Sequence, residues 1–215
     1  NFSSKGDNIL DNTNNMKSKV INDLSFKTNN MIFDEIGIKN NFNIYFKNLN
    51  SLGKNVSNYK SSPQIELQSL FELNSELPLI KYDEDTTQTI IPRISLKFNP
   101  GDMKNHSDAE RKININNIFD ANRIGVDDTF EEGGSLTLGI NYKKENNLNS
   151  LKYIEYNLAT VFRNEEQNNI PSQTTLNEKQ SVNANIFINE DSLTIKDLYE
   201  QHSIDTNLVI SPTEV

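Results

Sequence analysis

Apolar and polar residues alternate with a period of two along most of this chain. In residues 36–48 the even positions hold Ile36, Ile38, Phe42, Ile44 and Phe46, while Lys39, Asn41, Asn43 and Lys47 take odd ones. The parity reverses in 63–79, where Ile65, Leu67, Phe71, Leu73, Leu77 and Leu79 oppose Gln64, Glu66, Gln68, Glu72, Asn74 and Glu76. In 90–98, Ile90, Ile94, Leu96 and Phe98 face away from Arg93, Ser95 and Lys97; in 135–142, Leu136, Leu138, Ile140 and Tyr142 oppose Ser135, Thr137, Gly139 and Asn141. Ile154, Tyr156, Leu158 and Phe162 then oppose Glu155, Asn157 and Arg163, and Val182, Ala184, Ile186 and Ile188 oppose Ser181, Asn183, Asn185 and Asn189. Weaker runs lie near 20–28, 193–199 and 204–210. Successive side chains of a strand point to opposite faces, so this pattern predicts eight or nine two-faced strands and no helix with a period near 3.6.

Antiparallel sandwiches also bury one face and wet the other. Three features favour a membrane barrel. The runs exceed the five or six residues usual in globular sheets and suit the roughly 9 to 11 that a tilted membrane strand needs. Their polar faces are unbroken rows of Lys, Glu, Gln and Asn, as for a wet lumen. The links alternate, short at 143–152 and 189–192 and long at 49–62, 99–132 and 164–179, which places the long ones on one rim. The fold expected is an all-β, antiparallel transmembrane β-barrel, here a partial arc. Tyr45 then faces the lumen, and Tyr142 and Tyr156 are candidate interfacial girdle residues. A barrel cannot leave backbone groups unpaired in hydrocarbon, so this arc would need further strands to close and would aggregate alone.

Composition narrows the alternatives. The 215 residues carry 21 Lys and Arg against 30 Asp and Glu, a net charge of −9, which opposes nucleic-acid binding. Only 34% are hydrophobic, and no stretch reaches the roughly 18 apolar residues of a membrane helix. The absence of cysteine removes disulfides and thiolate metal sites. The chain reads as a fragment: residues 1–19 a flexible lead-in or preceding loop, 20–210 barrel with a long loop at 99–132, and 211–215 a truncated end.

The stretch TTQTIIPRISLKFNPGDMKN (86–105), followed by NNIFDANRIGVDDTFEEGGSLTLGINYK (116–143), resembles the barrel domain of the LptD family of lipopolysaccharide-assembly proteins. The matching positions are Gln88, Thr89, Pro92, Arg93 and Pro100, then Asn117, Ile118, Phe119, Asn122, Arg123, Gly125, Asp127, Glu131 and Gly133. YIEYNLATVFRNEEQNNIP (153–171) is similar to the family's next strand. The specific part of the likeness is confined to 86–171. Ile118 stands where Leu is usual and Asp128 where a basic residue is common, and the family's periplasmic jelly-roll and cysteines are not visible. The resemblance implies a component of an outer-membrane translocon in a Gram-negative bacterium, inserting lipopolysaccharide without covalent chemistry. Its partners would be an LptE-like lipoprotein plug in the lumen and an LptA-like periplasmic bridge reached through other regions. Pro92 and Arg93 would form a strand motif, and Asn117, Phe119, Asn122, Arg123, Gly125 and Asp127 a loop-anchoring motif. Ile38, Phe42, Ile44, Phe46, Ile94, Leu96, Phe98, Leu136, Leu138 and Ile140 would face lipid.

Within the long loop, Arg123 and Asp127 are spaced to meet on one turn, and Arg123 suits a forked contact to carboxylate or phosphate. The expected role of Asn122, Arg123 and Asp127 is to pin the loop over the lumen. A divalent cation at Asp127, Asp128, Glu131 and Glu132 is the less favoured reading, since solvated acidic patches are common. Catalysis and cofactors are not expected: His106 and His202 are far apart, Ser107 is only a sequence neighbour of His106, and no phosphate-loop or metal spacing occurs. The remaining alternatives are a general porin or receptor barrel, and a secreted β-sandwich binding module.

Overall fold

The computed structural model describes residues 1–10, 14–33, 36–56, 59–150, 152–174, 176, 180–189 and 208–210, the last two segments as backbone. The described residues form a single antiparallel sheet without a helix. Its segments are β1 (Phe2–Leu10), β2 (Met16–Lys27), β3 (Met31–Phe33), β4 (Ile38–Lys54), β5 (Gln64–Glu76), β6 (Leu79–Tyr82), β7 (Thr86–Asn99), β8 (Gly133–Asn146), β9 (Tyr153–Arg163), β10 (Gln180–Asn189) and β11 (Leu208–Ile210). The path β1-β2-β4-β5-β7-β8-β9-β10-β11 is a meander of nine strands, with β3 continuing β2 along β4 and β6 continuing β5 along β7. It is open and does not close into a barrel.

The two interruptions have different causes. Between β2 and β3 the register slips by one residue, from Lys27↔Asn43 to Met31↔Asn40, which is a bulge, and the Thr28 hydroxyl accepts from the Phe42 amide at 2.8 Å. Between β5 and β6 the register is unchanged, Glu76↔Arg93 and Leu79↔Ile90. There the ladder breaks because Pro78 and Pro92 bring no N–H; one bond survives, Leu77 N–H to the Pro92 carbonyl at 3.1 Å.

The links 34–37, 83–85 and 147–152 lie on one rim, and 11–15, 55–63, 100–132 and 164–179 on the other. Two expectations are corrected. Residues 1–19 are not a lead-in: they hold β1 and the start of β2, because β2 offers an edge along which the weakly patterned β1 pairs from Phe2↔Leu24 to Leu10↔Met16. The link expected from residue 49 starts only at 55, since β4 pairs with β2 as far as Met16↔Lys54 despite the broken alternation of NLNSLG. Of the weaker strand expected near 204–210, the described part is Leu208–Ile210, paired with Ala184 to Val182. Residues 193–199, 204–207 and 211–215 lie outside the described residues.

The faces of the sheet are inverted relative to a water-soluble domain. Polar side chains of the strands are buried: Lys19, Asn43, Lys47, Gln68, Glu72, Ser95, Lys97, Thr137 and Arg163 are at most 8% exposed. The apolar row on the opposite face is open, with Phe46, Ile94, Leu96, Phe98, Ile140 and Leu158 between 43% and 52% exposed. Ile38, Phe42, Ile44, Leu136 and Leu138 share that face, half-buried by their neighbours. One rung runs Phe42↔Leu73↔Leu96↔Leu136↔Phe162 across five strands. Among the described residues nothing packs over this face.

A loop seated on the polar face as the candidate functional site

Residues 100–132 bury the polar face. The segment builds itself from consecutive turns, in which backbone amides of Ala109, Asn117, Asp120 and Gly125 bond carbonyls three residues back. Asn117 caps its own turn: its Oδ1 accepts from the Asn114 amide at 2.9 Å and its Nδ2 donates to the Lys112 carbonyl. Gly125 closes the Asn122 turn at φ +71°, where a Cβ would both strain the backbone and meet the Arg111 side chain at 2.9 Å. The turns enclose a small apolar core of Met103, Ile113, Ile118 and Ile124 packed on Ala159 and Val161 of β9. Ile170 and Leu176 of the following link complete it. Three backbone bonds, His106 N–H to Asn169 O, Arg111 N–H to Ser172 O and Ser172 N–H to Ala109 O, tie the two links together.

Polar contacts then fix the loop to strand after strand. Arg123 is fully buried: its guanidinium holds Glu131 through both carboxylate oxygens, at 2.7 and 2.6 Å, and donates to Thr137 Oγ1 at 2.9 Å and Ser135 Oγ at 2.8 Å on β8. Glu131 also takes Arg163 of β9, which donates to the Glu132 carbonyl as well. Burial lowers the Arg123 pKa to about 10, so the side chain remains charged at neutral pH. Arg93 of β7 lies with its guanidinium 4.2 Å from the Phe119 ring, a cation–π contact, and the ring edge is so close to Gly139 of β8 that a Cβ there would sit 2.6 Å from it. The strand motif and the loop motif thus meet at Phe119. Lys97 donates to the Asp120 carbonyl and lies 3.7 Å from Glu72, which also accepts from Asn43 at 2.8 Å and Tyr45 at 3.3 Å.

The other end of the loop reaches the first strands. Asp127 pairs with Lys19 of β2 at 2.8 Å and Lys5 of β1 at 3.0 Å, and its carbonyl accepts from Lys47 of β4 at 2.6 Å. Partial burial raises its pKa, but these two lysines outweigh that and leave it below the ordinary range. The Phe130 amide donates to Gln68 of β5 at 2.9 Å, and Lys104 meets Glu66 at 2.6 Å. Asp128 is buried between the Tyr59 hydroxyl and His106, whose Nε2 is 2.8 Å from Oδ1 but is not aligned for a hydrogen bond. Burial raises the Asp128 pKa; the two partners more than reverse this and hold it far below the usual carboxylate range, while burial and Asp128 push the Tyr59 phenol up.

No family model, curated protein or solved structure matches the chain. Geometry therefore carries the reading.

One sequence expectation is corrected here. Arg123 and Asp127 do not meet, because Glu131 and the lysines of β1 and β2 offer each a closer partner across the sheet. The carboxylates of Asp127, Asp128, Glu131 and Glu132 do not converge: each faces its own donors, and among the described residues no group of three or more metal-ligating side chains forms. Asn122 contributes its carbonyl to the Gly125 turn. Sequence reasoning missed Lys5, Lys19, Lys47, Lys97 and Glu72 as loop-facing partners. The signal was present, since all lie on the polar parity of their strands, but parity names a face and not what covers it.

Proposed function

We propose that this chain is part of the wall of a transmembrane β-barrel of the outer membrane, with residues 100–132 folded into its lumen, and that it belongs to a lipopolysaccharide-inserting translocon of the LptD type. The observation that carries the first part is the inverted polarity. Exposed strand side chains such as Phe26, Phe46, Ile65, Leu67, Leu96 and Phe98 present on the order of 1,000 Å² of apolar surface, against the few hundred usual on a soluble monomer. Lysines and glutamates are sequestered opposite. A sandwich would do the reverse.

The slope of the apolar band supports the same reading. Following the strand registers, its centre moves from Leu24 and Phe26 on β2 to Ile154–Phe162 on β9 by roughly seven residues, about 23 Å, over five strand spacings of about 4.8 Å each. A band level with a bilayer would then tilt the strands by about 45°, close to the 35–45° of outer-membrane barrels. Tyr142 and Tyr156 stack across β8 and β9 at 6.1 Å near the short-turn rim, where a girdle is expected.

The finer assignment rests on the motif residues of 86–105 and 116–143 forming one unit through Arg93, Phe119, Arg123 and Glu131. A lumen filled by an anchored loop also suits a plugged assembly protein better than an open diffusion porin. Lipopolysaccharide would be the cargo, with an LptE-like plug and an LptA-like bridge as partners. In the full-length protein in outer membranes, spin labels at Leu96 and Leu138 are expected to be open to oxygen and shielded from a polar nickel chelate. High nickel accessibility at both overturns the wall reading. Depleting the protein should stop new lipopolysaccharide from reaching the cell surface, and unchanged delivery removes the translocon assignment.

A further inference from the structure

Towards the short-turn rim the polar face emerges from under the loop, where the side chains of Lys39, Glu76 and Arg93 are between 36% and 44% exposed. The strand registers set these three on one rung with Gly139. Arg111, Arg123 and Arg163 each donate hydrogen bonds within the protein. Arg93 makes none among the described residues: its guanidinium lies 4.2 Å from the Phe119 ring, and Glu76, the carboxylate beside it, is 4.0 Å from Nε. The next rung of that face holds Asn41 and Asn74, and the bulge between β2 and β3 brings Asn30 to it, with Asn41 Nδ2 donating to Asn30 Oδ1 at 3.4 Å. These residues enclose a hollow of about 220 Å³. A second hollow of about 440 Å³ shares Glu76, Arg93 and Phe119 and continues over Ile91 and Ile115.

We propose that Arg93 and Lys39 form a binding site for a carboxylate, carried either by a small organic acid or by an acidic side chain of a polypeptide. The site needs only the polar face and its loop, so it does not depend on the wall reading. Donors are in surplus there. The Arg93 N–H groups and Asn30 Nδ2 have no partner among the described residues, whereas Asn41 Oδ1 already accepts from Asn43 and Asn74, and Glu76 Oε1 from Lys39 at 3.5 Å. An ionised carboxylate only accepts, and its two oxygens match the guanidinium fork. The cation–π contact positions that fork without consuming its N–H bonds. Charge then selects among anions: two cations against Glu76 leave one positive charge, which one carboxylate neutralises and a phosphate dianion overshoots. Glu155, across the larger hollow, is met by the Asn141 and Asn157 amides and stands opposite its own cation, Lys143. The larger hollow leaves room for the rest of the acid over Ile91, Ile115 and Phe119.

The test treats the full-length protein with phenylglyoxal at about pH 8 and follows each arginine by peptide mass spectrometry. Arg93 should react, and the buried Arg123 should not. Replacing about 100 mM chloride by acetate should slow the reaction at Arg93 about fivefold, the mass-action result for a Kd of about 25 mM, while inorganic phosphate should slow it less than about twofold. The Glu76→Gln variant, which removes the charge that disfavours a dianion, should raise protection by phosphate to at least the level of acetate; Arg123 staying unreactive shows that the loop is still seated. The blocked peptide acetyl-Ala-Glu-Ala-amide tells the sources apart: protection equal to or above that of acetate assigns the site to an acidic side chain, and exclusion of the peptide with protection by acetate assigns it to a small acid. An unreactive Arg93, no protection by either carboxylate, or equal protection by phosphate in the native protein overturns the proposal.

Discussion

Replacing Arg123 by Ala should release the loop from β8 and β9. The guanidinium is wholly buried and makes two bonds to Glu131, one each to Thr137 and Ser135, and a longer one to the Ile118 carbonyl. Truncation leaves Glu131 buried with Arg163 as its remaining cation and strands two hydroxyls. Removing one partner of a buried pair costs about 3–5 kcal/mol, a large share of the roughly 5–15 kcal/mol that holds a typical domain. The assay is trypsin cleavage at Arg111 and Lys112 of the full-length protein in its membrane. If cleavage follows transient opening of the loop, the rate should rise by roughly two to four orders of magnitude. The Arg123→Met, Glu131→Leu, Arg163→Met triple variant supplies the control: it removes all three charges of the buried cluster at once and should recover most of the protection, because the penalty lies in the stranded partner. A rise below about tenfold in the single variant would refute the anchoring argument, since it corresponds to only about 1.4 kcal/mol.

Other outcomes follow from neighbouring contacts. Gly139→Val puts a side chain into the Phe119 ring and should displace it from Arg93, lowering stability by about 1–3 kcal/mol in thermal unfolding followed by circular dichroism, whereas Thr137→Ser, which keeps the hydroxyl that Arg123 uses, should cost less than that. Asp128 has its folded pKa lowered, so its contribution is complete above the ordinary carboxylate pKa and is lost as pH falls below it; loop protection should therefore decline with acidification below about pH 4 in the native protein. In the Asp128→Asn variant that decline should be shallower. Asp127→Asn, at a half-exposed ion pair, should change protection by less than about 1 kcal/mol and lose even that in high salt.

The sequence alone determined which residues share a face. Period-two alternation is a property of the extended backbone, so Ile94, Leu96 and Phe98 were bound to oppose Ser95 and Lys97 in any strand, and the rim bearing the longer links followed from counting strands. Where strands end was less legible: β1 has little apolar pattern and β4 loses its alternation after Asn48, and both are held by cross-strand pairing. Only the tertiary structure decided which face is covered. Arg123 finds Glu131 and β8 rather than Asp127, and Lys5, Lys19 and Lys47 reach one loop residue from three strands, because side chains distant in sequence meet only once the strand order and register are set. Alternation is local and costs nothing to read, whereas burial is a relation between segments.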